Sequence, residues 1–397
     1  MAEATRRTFL TAAAAARVSG AADRLRVGVI GAGGRGQYLM RELNKQGDVD
    51  YVAVCDVYDA RREQAEKVAG KPVLKTGDHR RVLEQKEIDA VIVATPDHWH
   101  APITVDALRA GKDVYVEKPM VHTPEDGLAI VRAVRETGRV LQVGTQGRAL
   151  AQFVEAKRKY VDTGIMGKIG MARTWYMSNS GYVQEPPPGM ESKPAGLDWE
   201  RWLGRGPKVP WSPQIYFSPY KWLHYDGGMI MGIDIHVIDS AHHLLGLRNP
   251  VSAVAGGATF YYEDGRDTPD VISFILAYPN KVTVTFHAEC LTAPGVRTSA
   301  GVELRGTGGS LWTERYVVDK GWDYTPNKKF SAEPKAQGPG TGATAEPLLR
   351  NWLECIRSRK MPVANVEEAY FSSVACYMAN RAYQTRSRVV WDPKWNI

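Results

Sequence analysis

Residues 31–36 read GAGGRG, so Gly31, Gly33 and Gly36 fall on a G-x-G-x-x-G spacing, with Gly34 and Arg35 between them. Asp56 stands 20 residues past Gly36, at the end of the next apolar run. Glycines so spaced let the backbone approach a pyrophosphate. The helix that follows offers amides and a positive dipole, and the carboxylate grips ribose hydroxyls. A carboxylate at 56, with Val57 and Tyr58 beside it, repels a 2′-phosphate, which favours NAD over NADP.

Two further stretches carry chemistry. In ATPDHWHAP (94–102), Thr95, Pro96, His98 and His100 are placed to line the cofactor, with His100 orienting the helix that follows. Two histidines at this spacing after a strand are weak evidence for a metal. Trp99 reads equally as a stacking surface or as core. In EKPM (117–120), Pro119 excludes the α region for the residue before it, so Lys118 is held extended at a strand end. A desolvated lysine beside a nicotinamide can assist proton transfer from a hydroxyl as hydride leaves the same carbon. Gln146, after VLQVGT, joins the cofactor-facing strand ends.

These residues need a common scaffold. LRVGVI, DYVAVCD, DAVIVATP, DVYVEKP and VLQVGTQ read as buried strands, and helical patterns of ten to fifteen residues separate them. Thr123 caps one helix and Pro124 opens it. Strands alternating with helices predict right-handed crossovers and a doubly wound parallel sheet, an α/β Rossmann domain over 23–148. Past residue 148 the rhythm changes. VSAVAGGATFYY, DVISFILAY, KVTVTFHAE and GVELRGTGGSLW predict a second, α+β domain with a mostly antiparallel open sheet over 149–345. GTGGS (306–310) precedes no helix and reads as a hairpin turn. Helical patterns at 346–358 and 366–385 are expected to pack back on the first domain.

GVIGAGGRG, CD at 55–56, ATPDHWHAP and EKPM together resemble the glucose–fructose oxidoreductase and inositol dehydrogenase family (Gfo/Idh/MocA), most strongly over 24–148. Stretches such as GLDWERWLGRGPK resemble its secreted, sugar-processing branch. The resemblance implies a sugar or polyol bound between the two domains. It makes Lys118 the catalytic lysine, puts Glu117 on the nicotinamide ribose and suggests a cis Lys118–Pro119 peptide. Within DGGMIMGIDIHVIDS (226–240), the family pattern is a glycine pair, an aspartate, and a histidine four residues later. His236 matches the histidine, but Gly232 occupies the aspartate position. Asp234 is the substitute if the backbone there departs from regular helix. A metal at Asp234, His236 and Asp239 is the alternative, although no metal is expected. Arg148, Trp175, Tyr176, Asn179 and Tyr225, together with Lys118, Asp234 and His236, are the candidate substrate contacts.

At 397 residues with 44% hydrophobic content, the chain can fill two cores. A net charge of +7 without a basic block argues against nucleic acid. Four cysteines without C-x-x-C spacing offer no disulfide framework, and three of them, Cys55, Cys355 and Cys376, read as small buried hydrophobes. TRRTFL (5–10), followed by TAAAAA, matches a twin-arginine export signal over 1–22, so a periplasmic or secreted location is expected. The expectation is an exported, homodimeric or homotetrameric NAD-dependent oxidoreductase of a carbohydrate or polyol, with internally recycled cofactor. A redox-neutral glycosidase or lyase and a non-catalytic sensor stay open as rivals.

Overall fold

The computed structural model describes residues 24–178, 184–290, 300–314, 321–327, 334–338, 340 and 344–397. The export segment and Asn179 lie outside these residues.

The first half alternates β1 (Leu25–Ile30), α1 (Gly34–Gln46), β2 (Val49–Cys55), α2 (Asp59–Ala69), β3 (Leu74–Thr76), α3 (His79–Leu83), β4 (Ala90–Val93), α4 (His100–Arg109), β5 (Asp113–Val116), α5 (Pro124–Thr137) and β6 (Leu141–Val143). The six strands form one parallel sheet in the order β3-β2-β1-β4-β5-β6. Its central strands are buried on both faces, which is why they read as unbroken apolar runs. Thr123 caps α5 by accepting the Asp126 amide, with Pro124 in the first turn, as the sequence predicts.

The register does the positioning. Ile30 pairs with Cys55 and with Val93, Val93 with Val116, and Val116 with Val143. The turns starting at Gly31, Asp56, Ala94, Glu117 and Gly144 therefore leave the sheet along one edge, where α/β folds bind their ligands.

Beyond α6 (Ala151–Ala156) comes β7 (Ile169–Met177), then the short helices α7 (Trp199–Leu203) and α8 (Pro213–Phe217), and then α9 (Ile235–Leu245). The strands β8 (Ser252–Ala258), β9 (Val271–Ala277), β10 (Thr283–Glu289), β11 (Ala300–Gly306), β12 (Gly309–Glu314), β13 (Trp322–Pro326) and β14 (Ala336–Gln337) follow. α10 (Glu346–Ser358), α11 (Val366–Thr385) and β15 (Val389–Val390) end the chain. Nine strands form the second sheet, in the order β14-β13-β12-β11-β7-β10-β9-β8-β15. It is antiparallel except where β7 and β10 run parallel. GTGGS lies at the β11–β12 hairpin, as expected.

α10 returns to the first sheet, where Leu348, Leu349, Trp352 and Leu353 share a core with Val27, Leu39 and Leu43. Burying four such side chains contributes on the order of 2 kcal/mol each. α11 packs against both α5 and β8, and so touches both halves. Among the described residues, no helix is long and apolar enough to cross a membrane, and all four cysteines are free and buried.

Candidate active site

The glycine-rich turn is built for close approach. Gly31 has φ of 91°, and a Cβ there would strike the Ala94–Thr95 backbone. A Cβ at Gly36 would strike the Gly31 carbonyl, whereas Gly33 and Gly34 face open space. That space is a cavity of about 380 Å³, lined by Gly31, Gly33, Gly34, Arg35, Asp56, Thr95 and Pro96 among others. The cavity thus fits a dinucleotide: bare backbone and the start of α1 on one side, a carboxylate at its edge.

Asp56 is held by the amides of Ala32 (2.8 Å) and Tyr58 (3.0 Å). Burial pushes its carboxyl up, and those two amides with Arg61 and Arg62 push back. Arg61 also lines the cavity, a cation that the residues adjoining Asp56 in sequence do not reveal. The far wall comes from the second half: Gln184, Trp202, Tyr216, Phe217 and Pro219. This wall is clasped to the first half by the Asp198 amide on the Val57 carbonyl (2.9 Å) and the Asp59 amide on the Gly196 carbonyl (3.1 Å).

The ATPDHWHAP turn divides its work. Thr95, Pro96 and Trp99 line the cavity, whereas His98 and His100 do not. His98 lies between the carbonyls of Trp202 (2.8 Å) and Tyr225 (3.3 Å), and His100, fully buried, between those of Pro119 (2.7 Å) and Thr95 (2.9 Å). Burial leads in lowering both imidazoles, to about 4, while the facing carbonyls favour the protonated rings. The expectation that they contact the cofactor is corrected: both are spent on backbone carbonyls, and they tie this turn to its neighbours.

Arg35 turns from the glycine loop to Glu117, with Nε and Nη2 on Oε1 at 2.8 and 2.7 Å. Tyr115 donates to the same carboxylate oxygen at 3.4 Å. Glu117 is therefore fixed just past the end of β5. The Lys118–Pro119 peptide is cis. Lys118 is partly open, and its Nζ donates to the Gly232 carbonyl. Gln146 is buried just past β6.

Gly232 lies in a π-helical turn, Ile230–Asp234, that runs into α9. His236 stands four residues on, 9% exposed, with no hydrogen-bond partner at Nδ1. The irregular backbone that Asp234 needed is present, yet Asp234 points elsewhere. It is fully buried, neither carboxyl oxygen has a partner, and burial alone pushes its carboxyl far up. Its neighbours include the thiols of Cys290 and Cys376. Asp234 is thus corrected from a catalytic and substrate contact to a fully buried core acid. The three proposed metal ligands do not converge, because Asp239 is bound by Arg148.

Further substrate contacts need correction. Arg148 is buried, bidentate on Asp239 (2.9–3.0 Å) and bonded to Glu368 (3.1 Å). Tyr225 is 2% exposed and donates to the Pro207 carbonyl. Trp175 lies in β7 between Thr174 and Tyr176, so it faces opposite to the buried Ala172 and Thr174, where it meets Trp312. Tyr176 is half-buried against the core on the inner face.

The sequence reading passed over three residues that the fold brings to Lys118. Asp97 and Asp226 are in side-chain hydrogen-bond contact, and both feel the Lys118 charge. His122 Nε2 lies 3.7 Å from Asp97 Oδ2. Asp97 was visible as the one acid in ATPDHWHAP. Asp226, six residues before Gly232, carried no such signal.

Residues 25–145 match the model of an oxidoreductase family with an NAD-binding Rossmann fold, and residues 201–312 match the GFO/IDH/MocA C-terminal domain. A glycosyl hydrolase family 109 protein of Stenotrophomonas maltophilia is 30% identical over 78% of this chain and 74% of its own length. Inositol 2-dehydrogenase of Rhizobium meliloti is 28% identical over 59% of this chain and 58% of its own. Levoglucosan dehydrogenase in complex with NADH superposes with a TM-score of 0.72 at 20% identity, covering 93% of this chain and 99% of that one, a likeness of fold.

Proposed function

The chain belongs to the Gfo/Idh/MocA oxidoreductase family, and from that premise we propose that it oxidises a secondary hydroxyl of a sugar, glycoside or cyclitol with tightly held, internally recycled NAD. The observation that carries this reading is Lys118: an amine at the sheet edge shared with the glycine turn, anchored on Gly232 one turn before His236. Bound NAD supplies a hydride acceptor at C4 of its nicotinamide. Lys118 takes the hydroxyl proton, His236 orients the sugar, and Glu117 is the group for the nicotinamide ribose.

Tight retention is supported by the wall of Trp202, Tyr216, Phe217 and Pro219 over the cavity. It also suits the export that the twin-arginine pattern at 5–10 implies, since free cofactor is scarce outside the cytoplasm. The test is gel filtration followed by a sugar and glycoside panel, with bound NAD followed by absorbance. NAD should survive purification, and at least one sugar should reduce it. Lys118→Ala should keep the NAD and lose about 10²- to 10⁴-fold in rate. A protein that purifies empty and needs millimolar NAD rejects retention, and full turnover by Lys118→Ala rejects the lysine's role.

The similarity to a family 109 glycosyl hydrolase favours one second reading, a redox-neutral glycosidase that oxidises the sugar, eliminates the aglycone and reduces the product. Aglycone release without net NADH would select it.

A further inference from the structure

Position 232, where the family resemblance calls for an aspartate, is not empty of carboxylate. A Cβ built on Gly232 would lie 2.5 Å from Asp226 Oδ1. The side chain of Asp226 thus fills the space that a side chain at 232 would take, and it reaches there from a different element, the turn before Gly227 and Gly228. Oδ1 has no hydrogen-bond partner of its own. The Gly232 carbonyl beside it is the anchor of Lys118.

Asp226 does not act alone. Its carboxyl and that of Asp97 are hydrogen-bonded to each other, a contact that two carboxylates can hold only by sharing a proton. Asp97 Oδ2, like Asp226 Oδ1, has no hydrogen-bond partner. The groups facing the pair are Lys118 and Glu117 from the end of β5, and His122, which bonds the Asp226 backbone. Burial leads in pushing both carboxyls up, Asp97 to about 8, against the pull of Lys118. His122 is pushed down by burial and is a neutral neighbour.

We propose that Asp226, hydrogen-bonded to Asp97, is the carboxyl behind Lys118 in proton transfer, replacing from another element the aspartate that position 232 lacks. The proposal rests on the oxidoreductase reading above. In the oxidation step the substrate's C–H and O–H bonds break and its C=O bond forms, with the hydride going to the nicotinamide. The hydroxyl proton passes to Lys118 Nζ as Lys118 hands one of its own to the carboxyl pair. The pair enters with one shared proton and leaves with two, and reduction of the product runs the same relay backwards. Asp226 touches Lys118's environment and not the sugar, so it is a positioning and relay residue.

The experiment uses the NAD-bound protein and the sugar that the panel finds. Asp226→Asn should retain NAD and a cooperative melting transition. It should slow single-turnover reduction at least about 10²-fold, and flatten the rise of rate with pH as the pair goes from two protons to the one it shares. Relocation is the sharper arm. Asp226→Ala clears the space beside Gly232, so Asp226→Ala/Gly232→Asp should recover at least about tenfold, or roughly 1.4 kcal/mol of barrier, over Asp226→Ala alone. Infrared titration gives a readout apart from turnover: the wild type should show a protonated carboxyl at pH 7 that Asp97→Asn/Asp226→Asn lacks. Wild-type rate and pH profile in Asp226→Asn, no recovery in the double variant, or no such carboxyl each overturn the relay. If the wild type reduces no NAD with any sugar, the oxidoreductase reading falls and the relay with it. An active wild type with an indifferent Asp226→Asn removes the relay alone.

Discussion

Asp97 couples the site to folding through its proton. Burial raises its carboxyl from the ordinary 3.8 to about 8, Lys118 opposes the rise and Glu117 adds to it. Between those two values the folded chain holds a proton that the unfolded chain has released, so stability falls as pH rises through that window. Below about 4 both states are protonated, and above about 8 both are ionised, so the slope vanishes at either end. Replacing the acid by its neutral isostere removes the slope. Urea unfolding of wild type and Asp97→Asn, compared at intervals from pH 4 to 9, should show the wild type losing ground steadily up to about pH 8. Parallel curves would mean that the carboxyl ionises in the folded state as freely as in water. Asp234, also buried, makes no such link to Lys118, because burial is the sole cause of its shift.

Arg148 shows how an element can claim a residue that its position in the chain assigns to the ligand. It leaves the sheet edge just after β6, as a substrate contact should, but its guanidinium is gripped by Asp239 of α9 and Glu368 of α11. Removing it strands Asp239 in the core, so Arg148→Met should cost about 3–5 kcal/mol in urea unfolding. The sugar KM of the surviving holo-protein should stay unchanged, and a large KM rise with intact stability would return Arg148 to the substrate. The elements that were legible in the sequence are those whose burial writes a period: β1, β2, β4, β5 and β6, and α10 and α11 at their observed limits. β3 was missed because its three residues are a partly exposed edge, with no run to see. The π turn at 230–234 was missed because no residue type encodes its backbone hydrogen bonds, and it decides that Asp234 faces the core. Alternation in β7 gave Trp175 and Tyr176 opposite faces, but which face is inner is a property of the helices packed behind the sheet. The cofactor half of the site, from Gly31 to Asp56 and on to Lys118, follows one strand edge and could be read. Its carboxyl half joins Asp97 to Asp226 across 129 positions and could not.

At the scale of the whole molecule, the second sheet has helices on one face, and among the described residues no helix covers the other. One row of paired residues crosses that open face: Val254, Ile275, Thr285, Arg173, Glu303 and Trp312, each opposite the next. Val254, Ile275 and Trp312 are 40–45% exposed, and the Arg173–Glu303 ion pair (3.0 Å) lies between them. Both sheet edges end in two-residue strands, β14 and β15, which offer little backbone for another chain to extend. Self-association is therefore expected through the face, where a two-fold axis would set the apolar ends of one row over those of the other. A stable dimer needs about 800 Å² per partner, which a nine-stranded face can provide. Light scattering should give a homodimer or homotetramer, and Ile275→Lys should lower the mass towards the monomer at micromolar concentration. Because this face is turned away from the cavity and from Lys118, that variant should keep its NAD and its rate per chain. A wild type that runs as a monomer would refute the interface, and an Ile275→Lys protein that stays assembled would move it to another surface.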